Sequence, residues 1–308
     1  EEGGYKDMDG NGKQWIPSGT VLYTTTEYPN ALQQFFTPLV YLDPWGNSTN
    51  ISFGNAGNNY NYWMLPISAT DTLNNTITIE QYDWRLLQAV RHKDINDNIS
   101  EVLYDTLGMP VAMALMAKDD GTEGDTLQGL DPDSGTDLAE QEAFWDDPES
   151  HAHNLIKGAT WRCVYDLEHL PLVGAMIVRE QHYTDNPESP LLIKFTYVDA
   201  LNRILMQKVK CEATASNDGK KWIGSGRTIY NNKGNPVMQY EPYFSESYSF
   251  DSVQQATAQG VTTLLYYDPL NRNYRTDLPD GTFTKNEWTA WEQLIWDSND
   301  TVLESQWY

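Results

Sequence analysis

The sequence predicts a mainly β protein built from successive antiparallel hairpins, and three observations carry that expectation. A five-residue turn signature recurs along the chain, and the segments that follow it alternate polar and apolar residues. Aromatic residues are also abundant, with 11 Trp and 19 Tyr among 308 residues. Rings and β-branched side chains pack well on a pleated surface, so this composition suits strands.

The signature reads DPWGN at 43–47, DTLNN at 71–75, DINDN at 94–98 and DTLGM at 105–109. It returns as DALNR at 199–203, NNKGN at 231–235, DPLNR at 268–272 and DSNDT at 297–301. Its first position is Asp except at Asn231, and a side-chain oxygen there accepts from the backbone two residues on. Pro44 and Pro269 pre-set φ at the second position. The fourth position is always Gly, Asn or Asp, the residues that adopt φ > 0 most easily. Strand-like runs follow: STNISF (48–53), TITIE (76–80), ISEVLY (99–104), ILMQKV (204–209) and TFTKNEW (282–288). Thr76-Ile77-Thr78-Ile79 has the period of a half-buried strand. The turns are unevenly spaced, which fits a run of hairpins better than a strict solenoid.

Between Leu115 and about Lys194 the pattern breaks. Residues 119–150 are rich in Asp and Glu and contain no Lys or Arg, the composition of a solvated loop. Thr136 is placed to cap a short helix over Asp137–Trp145. Asp147-Pro148-Glu149 then opens a second that carries His151, His153, Leu155 and Ile156. The expectation is therefore one short helical insertion near 137–158 in an otherwise β chain. Strands resume with TWRCVYDL (160–167) and GAMIVREQHY (174–183). The organisation predicted is a repeat-bearing segment at 1–118, the acidic and helical insertion at 119–158, and a second repeat-bearing segment at 159–308.

A net charge of -24 repels phosphate backbones, so nucleic acid is not expected as a partner. No apolar run reaches the roughly 20 residues that span a bilayer, so no direct membrane insertion is expected. The opening EEGGYKDMDG has neither the basic nor the apolar region of a secretory signal. The chain begins without Met and closes on TVLESQWY, which reads as strand, so it is read as a piece of a longer polypeptide. Cys163 and Cys211 match no zinc or redox spacing; they are either two buried thiols or one bridge.

Few residues form a pattern that carries chemistry. In KDMDGNGKQW, Asp7, Asp9 and Asn11 alternate ahead of Gly12, as at the start of a calcium-binding EF-hand loop. Ser18 stands where the bidentate Glu belongs, which leaves these three as weak metal candidates. Asp131, Asp133, Asp137 and Glu142 make a second partial match, with Thr136 in place of the turn glycine. His151 and His153 lie two apart, which on a helix is about 200° of rotation, too far to share one ion. No nucleophile elbow, phosphate loop, dinucleotide fingerprint or zinc-protease motif occurs. No catalytic residue and no cofactor are expected.

Several segments resemble a known family. They are WIPSG (15–19), FFTPLVYLDPWGN (35–47), the paired units over 71–109, and ATWRCVYDL (159–167). KKWIGSGRTIYNNKGNPVMQYEPYFS (220–245), YYDPLNRNYRTDLPDGTFTKNEW (266–288) and WDSNDTVLES (296–305) complete the set in order. The pattern is similar to the B component of bacterial Tc insecticidal toxin complexes and to related SpvB/TcaC-like proteins with Rhs/YD repeats. The acidic stretch from GDTLQG to DPESHAHNLIKGAT also resembles an insertion of that family. The resemblance implies a long antiparallel sheet forming part of a hollow shell. Such a shell, shared with the C component, holds an unfolded toxic enzyme, the C-terminal cargo of that component. A propeller outside this segment docks it onto the pore-forming A component. It further implies a secreted protein, delivered to host cells, with no activity of its own in this stretch. Two other readings stand beside it: a cell-surface YD-repeat adhesion module, and a carbohydrate-active enzyme suggested by acidity and surplus Trp.

Overall fold

The computed structural model describes residues 5–7, 9–16, 18–54, 63–118 and 123–308. Met8, Pro17 of the WIPSG segment and the start of the acidic loop at 119–122 lie outside them. The chain divides into two compact units. The first gathers the described residues up to Asp147 with His153–Arg162 and Arg179–Pro190; the second holds Pro148–Ala152, Cys163–Val178 and Leu191–Tyr308.

The first unit is an antiparallel meander. It runs through β1 (Thr20–Leu22), β2 (Val40–Leu42), β3 (Ser48–Phe53), β4 (Pro66–Thr70), β5 (Thr76–Asp83), β6 (Gln88–Lys93), β7 (Ile99–Tyr104) and β8 (Pro110–Met116). Each strand pairs with the next in the chain, and β8 continues onto the first residues of β9 (Trp161–Asp166). Two helices precede β9: α1 (Gly135–Asp146) and α2 (Pro148–Ile156). Phe144, Leu155 and Ile156 are fully buried, which fixes the helical insertion to the unit by its apolar stripe.

The second unit carries two sheets. One follows the order β9, β10 (Leu172–Arg179), β11 (Leu191–Val198), β12 (Ile204–Lys210), β13 (Trp222–Ser225) and, out of sequence, β16 (Tyr243–Ser245). The other comprises β14 (Thr228–Tyr230), β15 (Pro236–Tyr240), β17 (Thr262–Tyr267), β18 (Asn273–Asp277), β19 (Phe283–Trp288) and β20 (Gln293–Trp296). On β10–β12 alternate residues are buried, among them Ala175, Ile177, Ile193, Phe195, Tyr197 and Met206. That is period two with one face against a core.

Seven of the eight signature turns have one geometry. In DTLNN the Asp71 N–H donates to the Asn75 carbonyl at 3.0 Å, and the Asn74 N–H donates to the Asp71 carbonyl at 3.1 Å. One carboxylate oxygen of Asp71 accepts from Leu73 and Asn75 backbone N–H groups at 2.8 and 2.9 Å. Asn74 sits at φ 65°, and the corresponding Gly46, Asp97, Gly108, Asn202, Gly234 and Asn271 are likewise left-handed. This is a type I turn closed by a left-handed residue, a loop whose twist matches the strands it joins. The eighth, DSNDT, differs. There the Thr301 N–H donates to the Asp297 carbonyl at 3.2 Å, and Asp300 is not left-handed.

Other expectations need correction. Ser134, not Thr136, caps α1 by accepting from the Asp137 N–H at 3.3 Å. The helical insertion is not the only helix, since α3 (Val253–Gln259) follows a Ser252/Gln255 capping box. The strand expected over 174–183 ends at Arg179, and TVLESQWY is a short 3-10 turn at Val302–Glu304 instead of a strand. Some hairpin turns among the described residues lack the signature. At 278–282, Leu278 replaces the Asp while Gly281 keeps φ 85°, and at the β5–β6 turn Leu87 takes φ 55° where Gly or Asn is usual.

Candidate functional site

The weak metal candidates Asp7, Asp9 and Asn11 lie exposed in a loop closed by paired backbone hydrogen bonds between Lys6 and Trp15. Asp7 accepts from the N–H groups of Asn11 at 3.1 Å and Gly12 at 2.8 Å, so the loop uses the carboxylate itself. In the second partial match, Asp137 is buried and accepts from Lys157 Nζ at 2.7 Å. Lys157 also donates to the Gly129 carbonyl, tying the loop to the end of α2. Among the described residues no group of three or more His, Cys, Asp or Glu is arranged to hold an ion. His151 and His153 lie on α2, and Cys163 and Cys211 are half-buried and form no disulfide.

Two buried charge clusters were not foreseen from the sequence. In the first unit Asp125 is 2 % exposed. One of its oxygens accepts from the Tyr183 N–H at 2.7 Å, and the other accepts from the Thr160 hydroxyl and lies 3.1 Å from His182 Nδ1. The threonine proton is thus directed to the carboxylate and away from the imidazole, so this trio is not a nucleophile–base relay. Arg179 closes the cluster by donating to the carbonyls of Lys157 and Pro187. Burial lowers its guanidinium pKa, and Asp125 opposes that. The arrangement knots the insertion and the 180–190 loop onto the strands.

In the second unit Lys208 is fully buried on β12, opposite Phe195 of β11 and Gly224 of β13. Its ammonium lies 2.6 Å from Asp251 and donates to the Ser245 hydroxyl. The Tyr243 hydroxyl donates to the same Asp251 oxygen at 2.7 Å. Burial pushes the Lys208 ammonium below its ordinary range, with Asp251 acting against it; burial first and then the Asp251 bond push the Tyr243 phenol up. Gly224 makes room, since a Cβ there would lie 3.0–3.1 Å from Met206 and the Tyr243 ring. The cluster anchors a strap through Tyr248 and Phe250. Tyr248 stacks on Phe195 at 4.9 Å, Phe250 meets Tyr197 at 5.4 Å, and the Tyr197 hydroxyl donates to the Tyr248 carbonyl at 2.6 Å. The sequence carried part of this signal: a Lys at an inward position of ILMQKVK asks for a buried partner.

No protein-family model and no curated protein matches the sequence. Solved structures do match in fold. The crystal structure of TcdB2–TccC3 aligns over 98% of this chain with a TM-score of 0.73 and 21% identity. The same complex without its hypervariable C-terminal region aligns over 98% with a TM-score of 0.74 and 19% identity. The Photorhabdus luminescens Tc holotoxin pore aligns over 98% with a TM-score of 0.69 and 20% identity. The chain spans 15% to 17% of the lengths of those chains. Its fold is that of a stretch of the TcdB2–TccC3 chains.

Proposed function

We propose that this chain is a stretch of wall in a secreted Tc-type toxin subunit, enclosing a toxic enzyme before delivery and performing no chemistry itself. The observation that carries the proposal is the fold match to TcdB2–TccC3 along 98% of the chain. Consecutive hairpins support it, because a ribbon extended strand by strand hides its edges by continuing into its neighbours. The two buried charge clusters suit a wall as well, being spent on anchoring loops and straps. By this reading the chain partners a C component and its C-terminal cargo, and reaches a pore-forming A component through parts outside this stretch.

The test is limited proteolysis of the assembled full-length complex beside an assay of the freed cargo. Cargo stays protected in the parent complex and becomes cleavable once the hairpins at 71–109 are deleted, with circular dichroism verifying that the remainder is folded. Amide replacements of single Asp, Glu or His residues leave the activity of freed cargo unchanged. Cargo that resists protease after the deletion, or a point variant that abolishes chemistry in an intact shell, overturns the proposal.

A further inference from the structure

The Lys208 ammonium and the Asp251 carboxylate meet where water does not reach. Both residues are buried, at 0% and 4% exposure, and Nζ lies 2.6 Å from Oδ2. The shell around them is aromatic. Phe195, opposite Lys208 on β11, has its ring centre 5.5 Å from that of Trp222 and 4.9 Å from that of Tyr248. Nζ itself sits 5.7 Å from the centre of the Tyr243 ring. An amine and a carboxyl group held this close behave as reactants at very high effective concentration.

Each remaining neighbour bears on that chemistry. In a dry site an ion pair loses the solvation that keeps it charged, so a proton passes from nitrogen to oxygen far more readily than in water. Burial is the first cause that pushes the Lys208 ammonium below its ordinary range, and a desolvated lysine is a nucleophile. Arg227, 6% exposed and 4.6 Å from the Phe250 ring centre, is a second buried cation near Asp251. A guanidinium keeps its charge, so of the two only Lys208 can become a neutral amine. The Tyr243 hydroxyl donates to Oδ2 at 2.7 Å, the same oxygen that faces Lys208. A donor there stabilises the negative charge that gathers on oxygen as nitrogen attacks. The Ser245 hydroxyl accepts from Lys208 and turns its own proton to the Ser247 carbonyl at 3.2 Å, which aims the nitrogen without competing for the carboxylate.

We propose that Lys208 and Asp251 condense into an intrachain amide, with Tyr243 bonded to the oxygen that leaves. The ion pair is the precursor. The ammonium first gives one proton to Oδ2. The nitrogen lone pair then forms a bond to Cγ, and the Cγ–Oδ2 bond breaks with its electron pair on oxygen. A second proton from nitrogen completes a water molecule. One ammonium and one carboxylate thus become one amide and one water, with no oxidant or co-reactant. The staple ties β12 to the end of the Tyr248–Phe250 strap. It turns over no substrate, and it stands whether or not the chain encloses cargo.

The test is tandem mass spectrometry of the full-length protein, folded, incubated and then digested in denaturant. The expected product is a branched peptide joining position 208 to position 251, lighter by one water than the two separate peptides. Lys208→Arg keeps the positive charge and yields only the separate peptides. Tyr243→Phe, verified as folded by circular dichroism, forms the link at least about tenfold more slowly, as loss of a donor to the reacting oxygen requires. Only unlinked peptides from the folded parent protein after prolonged incubation overturn the proposal. So does an equal yield of the link from protein kept unfolded throughout, or an unchanged rate in Tyr243→Phe.

Discussion

The guanidinium of Arg203 stacks 4.4 Å over the ring of Tyr230, joining the turn of one sheet in the second unit to the edge strand of the other. The same Arg203 donates from Nε to Asp199 at 2.7 Å, and the Tyr230 hydroxyl donates back to the Ile204 carbonyl at 3.3 Å. The fifth position of the turn signature thus closes its own turn and grips an aromatic beyond it. Arg272 repeats the arrangement, bonded to Asp268 at 2.7 Å and stacked 4.5 Å over Trp288.

Arg203→Lys is therefore expected to destabilise the second unit by about 1 kcal/mol, because an ammonium cannot make the planar fork and the stack together. Denaturant titration reads it as a lower midpoint at unchanged slope. Introducing Tyr230→Leu should reduce the loss from Arg203→Lys to the part carried by the Asp199 bond, and strictly additive losses would show that the stack carries no energy.

Gly234 sits at φ 84° in the turn that packs against Arg203. Gly234→Val is expected to cost about 1–3 kcal/mol, since a β-branched residue resists that region. Gly234→Asn should cost far less, because Asn74, Asn202 and Asn271 hold the same position in sister turns. Thermal melts of both variants in the full-length protein check this ordering; equal midpoints would refute the turn's role.

Acid should act through the turns. The carboxyl of Asp71 is held below its ordinary value by the side-chain bond from Asn75 and then by backbone N–H groups, and Asp43 and Asp94 repeat the pattern. Asp199 and Asp268 are lowered too, first by the backbone N–H of the fifth-position Arg. A carboxyl depressed in the folded state contributes stability that is present above the unfolded value, about 3.9, and is lost as pH falls through the folded one. Melting temperature should therefore drop as pH is lowered below about 4. Asp71→Asn should keep the turn at pH 7, as Asn231 does by accepting from Lys233 and Asn235 at 2.9 and 3.0 Å, and should shallow the acid slope. An unchanged slope would remove the turns from the account.

The Lys208–Asp251 pair gives the largest expected loss. Asp251→Asn leaves a buried ammonium without its counter-charge and is expected to cost about 3–5 kcal/mol. Adding Lys208→Met should recover a large part, since the uncompensated charge is then gone. Calorimetry of the two variants, with intrinsic fluorescence of Trp222 beside the Tyr248 strap, distinguishes repair from further damage.

The features legible in the amino-acid sequence are the local ones. Asp71, Asn74 and Asn75 specify their turn within five residues, so the hairpins, their alternating strands and the Pro148 helix start could be read directly from residue type and spacing. Leu87 and Leu278 hid two turns: a neighbouring hairpin braces the first, while the second closes locally through Gly281 and the Asp280 carboxylate, which accepts from the Thr282 N–H at 2.9 Å. Arg85 donates to the carbonyls of Asp105 and Thr106 across the β5–β6 turn, and that bracing comes from a neighbouring hairpin. The Ser252/Gln255 box is legible in residue type, a Ser three positions ahead of a Gln at the start of α3. Which inward positions are covered was settled by long-range packing. It set Lys208 against Asp251, brought Tyr248 onto Phe195, and left the Ile51–Ala69–Ile77 row open. Alternation tells which residues share a face; what lies over that face depends on where distant segments return, and no five-residue window contains that information.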